Sequence, residues 1–441
     1  MAKTEHIIRG AGRRFYGRKL VFILFVTNMV VLGMGFYGFT VIFPAMVKET
    51  GWGRGEASLA ATLRPVFLSL AMPLAAAVIN RSGTRRSIMI GLAILGSGML
   101  LLATATTALW QWTLIWGVFL PFGFAFFNLG TQTTVTFWYN LKRATTMGIV
   151  MTGTSIGGFL ATPVFTRLIQ KTGNWQSAWM ACAILVSLMV LLSLKIYSKP
   201  SDLGQFPDNI SPEIQDGNER KKRRYQTFRT SRNWRMRQIL KTRSLYCITF
   251  GQIACTIPLQ VLVTHMVLHL TDLGYTEMEA ASVMSIVVLS SGFARFPMGW
   301  VGDRIEPRWL ISVSLLVIMA MVYNVWKAPS LPALLAGGVV YGFSYGTILV
   351  LLPVMRGNYF GPDAFANLAG VITPLTLVFV APAPYLAGYM ADTFGNYDPA
   401  FIGIFAVLAA GVVCMVIAAP PEKQQNDAQP APVPMEGPAK S

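Results

Sequence analysis

The sequence predicts an all-α membrane protein of twelve transmembrane helices in two six-helix repeats. Three observations carry that expectation. Of the 441 residues, 54% are hydrophobic and only 12% are charged, whereas soluble domains average about 25% charge. Apolar runs of about 20 residues or more, the length a helix needs to cross a bilayer, recur along nearly the whole chain. A long basic stretch then divides those runs six and six. A soluble multidomain enzyme of this length would alternate apolar and polar faces instead, so that class is excluded.

The basic segment Met1 to Lys19 leads into a run over 20–47, too long for a signal-peptide core and without a small-residue cleavage site, so it is read as a retained first span. Arg13-Arg14-Phe15 does not by itself make a twin-arginine signal and is read as a basic anchor. Charge clusters, Gly/Pro breaks and turn residues bound the next five spans at 56–79, 87–107, 110–138, 143–169 and 175–197. The stretch 198–243 carries the run Arg220-Lys221-Lys222-Arg223-Arg224 and then Arg229, Arg232, Arg235, Arg237, Lys241 and Arg243. It is expected to be a solvated linker lying on anionic inner-leaflet lipid, most basic over 220–243. Six more spans follow at 244–270, 277–301, 309–327, 331–355, 364–391 and 397–419. The tail after Pro420 is too poor in apolar residues to fold and is read as disordered. The expected domains are therefore 1–197 and 244–419, joined by the linker 198–243 and followed by the tail 420–441.

The formal charge of +17 would suit nucleic acid, so its location has to decide. Assigning loops to alternate sides puts 29 of the 36 Lys and Arg on the side of the termini and linker, including Arg143 and Arg356. The opposite side holds Lys48, Arg54, Arg167, Lys171 and Lys327. The positive-inside rule then makes both termini cytoplasmic, in a bacterial inner membrane, and explains the charge without nucleic acid. The four cysteines lie in apolar segments without metal-ligand spacing and read as packing residues. Neither a metal site nor a nucleotide-binding loop is found, and no cofactor is expected.

The two halves repeat. Gly51-Trp52 followed by Glu56-Ala57-Ser58 parallels Gly274-Tyr275 followed by Glu279-Ala280 and Ser282, and each Gly stands 30 residues before an Arg, Arg81 or Arg304. Parallel repeats of this kind are built into transporters whose substrate site lies between the halves near the bilayer midplane.

The turn Asn80-Arg81-Ser82-Gly83-Thr84-Arg85-Arg86 and its counterpart Gly299-Trp300-Val301-Gly302-Asp303-Arg304 resemble the short loop motif of the major facilitator superfamily. Arg81, Gly83, Arg85, Arg86, Gly299, Asp303 and Arg304 are accordingly read as gating residues. Phe43-Pro44, Gly51-Trp52-Gly53-Arg54, Arg143 and Met147 through Gly158, then Pro163, resemble bacterial members of the monocarboxylate-porter family. So do His265, Asp272-Leu273-Gly274, Gly292, Arg295, Tyr359-Phe360-Gly361, Gly370, Gly388, Asp392 and Gly395-Asn396-Tyr397. The resemblance covers all twelve spans and implies an alternating-access carrier of small organic anions, often moved with protons. The family's eighth-span arginine, held to bind the substrate carboxylate, maps onto Arg295. Two family features are missing: neutral residues around Thr40 and Val41 replace a first-span lysine, and Ser291 replaces an acid one turn before the arginine. Proton coupling cannot be carried over through either position.

The residues themselves also point to Arg64 and Arg295. A guanidinium does not deprotonate in a protein, and one at the centre of a membrane helix costs about 2.5–3.5 kcal/mol on insertion scales. No Asp or Glu lies at interior depth in any span, so neither arginine has an evident partner in the sequence. Snorkelling is the alternative for Arg64, about eight residues or roughly 12 Å inside its span. By repeat register Arg64 matches Val287, about 12 Å along the axis from Arg295. That offset suits a longer or doubly charged anion, or outer capture followed by central binding.

Tyr37, Gln132 and Tyr341 are further binding candidates among the polar residues of the spans, and Phe122 and Phe126, one turn apart, are candidates for an apolar wall. The alternative for the two Phe is packing on lipid or other helices. His265 is the proton-coupling candidate, as an imidazole titrates near neutral pH; the alternative is a neutral His bonded to a neighbouring helix. The expected function is proton-coupled monocarboxylate uptake by a monomer. An anion exchanger, an efflux carrier or a transporter-like receptor are the alternatives. No nucleophile, base and acid cluster supports an enzyme.

Overall fold

The computed structural model describes residues 15–210 and 227–421. Among them are twelve helices long and apolar enough to cross a membrane. These are α1 (Gly17–Thr50), α2 (Gly55–Ser82), α3 (Thr84–Thr104), α4 (Leu109–Trp138), α5 (Arg143–Thr172) and α6 (Gln176–Ser193), then α7 (Arg243–Asp272), α8 (Met278–Gly302), α9 (Pro307–Lys327), α10 (Leu331–Phe360), α11 (Pro362–Phe394) and α12 (Asp398–Ile417). Each predicted span has its helix. The run Arg220–Arg224 and the tail from 422 lie outside the described residues.

The repeat read in the sequence has a conformational basis. Gly51 and Gly274 both adopt left-handed backbone, with φ of 72° and 94°, where a side chain would be strained. Gly51 ends α1. After Gly274, Thr276 caps α8 by accepting from the Glu279 amide at 3.3 Å, while Glu279 accepts from the Thr276 amide at 2.9 Å.

Three helices are irregular. α1 passes through a π-helical turn at Met29–Phe36, α4 through another at Thr113–Phe119, and α11 breaks at Ala381–Pro382. At the break Pro382 and Pro384 lack the amide hydrogens that a continuous helix needs. Inside the first six helices an aromatic stack joins α1, α4 and α6. Phe39 lies parallel to Trp116 at 5.0 Å, Trp112 stacks on Trp116 at 5.8 Å, and Trp179 leans on Trp116 at 5.0 Å.

The first six helices meet the last six chiefly where α5 packs on α8 and α2 on α11. Gly148 of α5 sets the first approach, since a Cβ there would stand 2.4 Å from the Arg295 carbonyl oxygen.

The linker corrects the sequence reading. Its described parts are bonded to the helices rather than free in solvent. Asp208 accepts from the Asn140 and Leu141 amides at 2.8 and 2.6 Å, while Arg229 donates to the carbonyls of the same residues at 2.7 and 3.0 Å. On the other half, Phe228 donates its amide to Glu306 at 2.9 Å and Thr230 donates its amide to the Asn358 carbonyl at 2.8 Å. Trp234 is buried against Phe360, with ring centroids 5.9 Å apart. Amides and carbonyls at helix ends have no partner within their own helix, and the linker supplies one.

Arg143 and Arg356 are a second correction, because both are buried helical residues rather than loop charges. Arg143 donates to the Asn358 side chain at 2.6 Å and to the Tyr139 carbonyl at 3.1 Å; Arg356 donates to Gln252. Neutral acceptors on neighbouring helices replace water at both, which is why the burial is tolerated.

Candidate functional site

Among the described residues, the side-chain hydrogen bonds that join the first six helices to the last six lie towards the linker side. Asp303 accepts from the Ala144 and Thr145 amides at 2.8 and 2.9 Å and from the Thr145 hydroxyl at 2.5 Å. At the equivalent place in the other repeat, Asn80 donates to Asn367 at 2.5 Å. Arg143 reaches Asn358, and Arg295 reaches the Met151 carbonyl at 2.8 Å. Lys199, just beyond α6, pairs with Asp363 at the start of α11 at 3.4 Å.

Burial pushes the Asp303 carboxyl above its ordinary range, while the hydrogen bonds from Thr145 and Ala144 and the Arg229 charge pull it down. The other loop-motif residues surround this contact. Gly299 packs on the Ala144 carbonyl, and Arg304 bonds the Trp300 carbonyl at 2.6 Å with its guanidinium 3.6 Å from the Trp300 ring centre. Gly83 turns the chain at φ 85°, the Arg85 amide bonds Ser198 at 3.2 Å, and Arg81 and Arg86 are exposed.

Deeper in the molecule Arg295 is only 7% exposed. Its single recorded hydrogen bond goes to Met151, and its Nε has no partner. Tyr345 of α10 lies within electrostatic reach of Arg295 and of Tyr37 on α1, and Tyr37 within reach of Arg64. Tyr37 and Tyr345 thus link the two permanent cations, one in each half, electrostatically. Tyr37 also packs against α5 at Gly158.

The expectation that neither arginine has an internal partner is corrected. Arg295 has the Met151 carbonyl. Arg64 does not snorkel: its guanidinium carbon lies 3.7 Å from the Phe36 ring centre and 5.6 Å from that of Trp116. The hydropathy pattern carries no signal for either contact, because a backbone carbonyl and an aromatic face are acceptors that any apolar helix can offer.

Other candidates stand apart from these residues. Phe126 is 8% exposed in a packed group with Ala71, Met72, Phe365 and Ala369, and Phe122 packs on the same group, so both belong to the contact of α2, α4 and α11. Gln132 bonds Asn128 one turn back at 3.0 Å. Tyr341 is buried, lines an apolar cavity with Leu259, Met266, Val283, Met321 and Val325, and leaves its hydroxyl without a partner. Tyr345, one turn further along α10, is the tyrosine that interacts electrostatically with Arg295.

His265 lies at the far end of α7 from the linker. Its Nε2 donates to the Pro384 carbonyl at 2.8 Å beside the break in α11, which leaves Nδ1 to accept from the Tyr397 hydroxyl at 3.2 Å. Both ring nitrogens are thus engaged in holding α7 to α11 and the turn before α12. Among the described residues no group of three His, Cys, Asp or Glu could hold a metal ion.

Comparison with known proteins agrees with this architecture. The chain is 25% identical to monocarboxylate transporter 13 of Bos taurus over 430 residues, 93% of each chain. It is 27% identical to monocarboxylate transporter 12 of Xenopus laevis over 349 residues, 76% of this chain and 74% of the relative. Its fold matches the crystal structure of FucP, a Major Facilitator Superfamily transporter in the outward conformation, with a TM-score of 0.63 at 15% identity over 90% of this chain and 98% of that one. Residues 25–323 and 248–437 match the Major Facilitator Superfamily itself. With twelve membrane-crossing helices in this arrangement, the chain belongs to the Major Facilitator Superfamily and is an integral membrane transporter rather than an enzyme.

Proposed function

We propose that this transporter carries a small organic anion, a monocarboxylate taken up with protons, by alternating access around Arg295. The observation that carries the reading is a buried guanidinium with no acid beside it and with Nε unpartnered. A planar fork of donors suits both oxygens of a carboxylate, and such a charge is retained in a membrane helix where a ligand needs it. The names of the relatives, monocarboxylate transporters, support the same substrate class.

Arg64 supplies a second cation on the path. Tyr37 and Tyr345 offer hydroxyls to an anion between the two arginines. The units are 1–197 and 244–419, acting as a monomer. The basic linker face is cytoplasmic in a bacterial inner membrane, where exposed Arg235, Arg237 and Lys241 meet anionic lipid. His265 lies away from the arginines, so the substrate's own proton is the better source of coupling.

Uptake by proteoliposomes tests the assignment. Arg295→Gln abolishes carboxylate uptake, and Arg295→Lys keeps the charge but loses the two-pronged contact and most of the rate. Wild-type uptake by a well-inserted Gln variant would remove Arg295 from the site.

Anion exchange is the second reading, favoured by two fixed cations with no carboxylate partner among the described residues. An empty carrier would return with that charge uncompensated, and a counter-anion would relieve it. Accumulation in anion-loaded vesicles without a pH gradient, and none in empty vesicles with one, decides for exchange.

A further inference from the structure

Only two π-helical turns occur in the membrane helices of the described chain, Met29–Phe36 in α1 and Thr113–Phe119 in α4. Such turns are rare and concentrate at functional sites. Each delivers one aromatic ring to the same guanidinium: Phe36, which ends the first turn, lies 3.7 Å from Arg64, and Trp116, inside the second, lies 5.6 Å away. A π turn accommodates one more residue than an α turn, so it rotates the side chains that follow by about 100° relative to an uninterrupted helix.

The rings are themselves braced. Phe36 meets Phe124 edge-on at 5.7 Å, and Trp116 lies in the parallel stack with Phe39 and Trp112. Arg64 has no recorded hydrogen bond or ion pair, and the residue is partly buried. A ring below the plane of a guanidinium stabilises its charge without using any N–H donor. All the in-plane donors are therefore left for an acceptor that is not part of the protein.

We propose that Phe36 and Trp116 are positioning residues that make Arg64 a second anion-binding group, so that besides a monocarboxylate the site accepts a substrate with another carboxylate or an equivalent acceptor beyond the carboxylate on Arg295. The inference rests on the carboxylate reading of Arg295. The rings hold the Arg64 side chain against the wall formed by the first six helices, and its donors face the acceptor at the other end of the substrate.

The test uses full-length protein and a matched pair of four-carbon probes, succinate and butyrate, with affinities from calorimetry. Phe36→Leu weakens succinate about tenfold and butyrate less than about twofold, the scale of a cation–π contact. Phe36→Tyr, which keeps the ring, restores wild-type succinate affinity. A second measurement needs no ligand: the rate at which phenylglyoxal modifies Arg64, read by mass spectrometry. Phe36→Leu speeds it several-fold and Phe36→Tyr leaves it unchanged, because only the first frees the guanidinium.

Equal losses for succinate and butyrate, or a Tyr variant as weak as the Leu variant, overturn the proposal. So does an Arg64 modification rate indifferent to Phe36. Arg295→Gln separates the two layers: unaltered butyrate affinity in that variant sinks the carboxylate reading. If neither probe binds the wild type, the substrate class proposed here is wrong.

Discussion

Asp303→Asn should release the linker-side closure. The Asp303 carboxylate is 2% exposed and takes three hydrogen bonds from the first turn of α5, on the other half of the molecule. Asn keeps the shape and the acceptor facing Ala144. Its amide group then points at the Thr145 amide, donor against donor, and the charge that complements the α5 N-terminus is gone. Hydrogen bonds to a charged group contribute about 1.5–3 kcal/mol each. Allowing for partial rearrangement, the closed state loses roughly 2–4 kcal/mol, about a 30- to 700-fold change in the ratio of closed to open. Spin labels at exposed positions 86 and 246, in a background without the four native cysteines, report the linker-side separation of the halves. The distance distribution should shift to longer values in Asp303→Asn and shift less in Thr145→Ala, which loses only the hydroxyl. An unchanged distribution in a folded Asn variant refutes the idea that this contact locks the halves.

Three further outcomes are expected. Arg229→Ala, which cuts the bonds to the Asn140 and Leu141 carbonyls, should move the same label pair in the same direction by a smaller amount and speed hydrogen exchange at the start of α5. Gly148→Val places a side chain 2.4 Å from the Arg295 carbonyl oxygen, so uptake should stop while the melting temperature of each half's packing is largely kept; normal uptake would show that the helices separate more easily there than their contact implies. His265→Gln should keep pH-driven accumulation, since the imidazole sits at the α7–α11 junction, and should lower stability by about 1 kcal/mol through the loss of a partly buried bond. Uncoupled flux in that variant would return the proton site to His265.

Much of this molecule was legible from the order of its residues. Membrane insertion depends on local hydropathy and length, so twelve apolar runs sufficed to number the helices, and the repeated Gly51 and Gly274 share left-handed backbone because a residue without Cβ adopts it freely. Arg64 and Arg295 stood out because a permanent charge is costly at that depth wherever the chain folds. Asp303 was recognisable by its motif. Its partners were not, as Ala144 and Thr145 lie more than 150 residues earlier.

Tertiary structure decided what compensates each charge. Arg143 and Arg356 looked like loop cations because they sit at the ends of apolar runs, but neighbouring helices supply Asn358 and Gln252 and allow both to be buried. Phe36 and Trp116 carry no signal in the sequence, since a π turn depends on which carbonyl each amide finds, and ring direction depends on that choice. The linker's basic composition suggested solvent and lipid, whereas Asp208 and Arg229 satisfy backbone groups that the ends of α4 and α5 leave open. Hydropathy is a property of neighbours in sequence and could be read from it. Hydrogen bonds and ring contacts join residues distant in sequence, and only the folded chain brings those together.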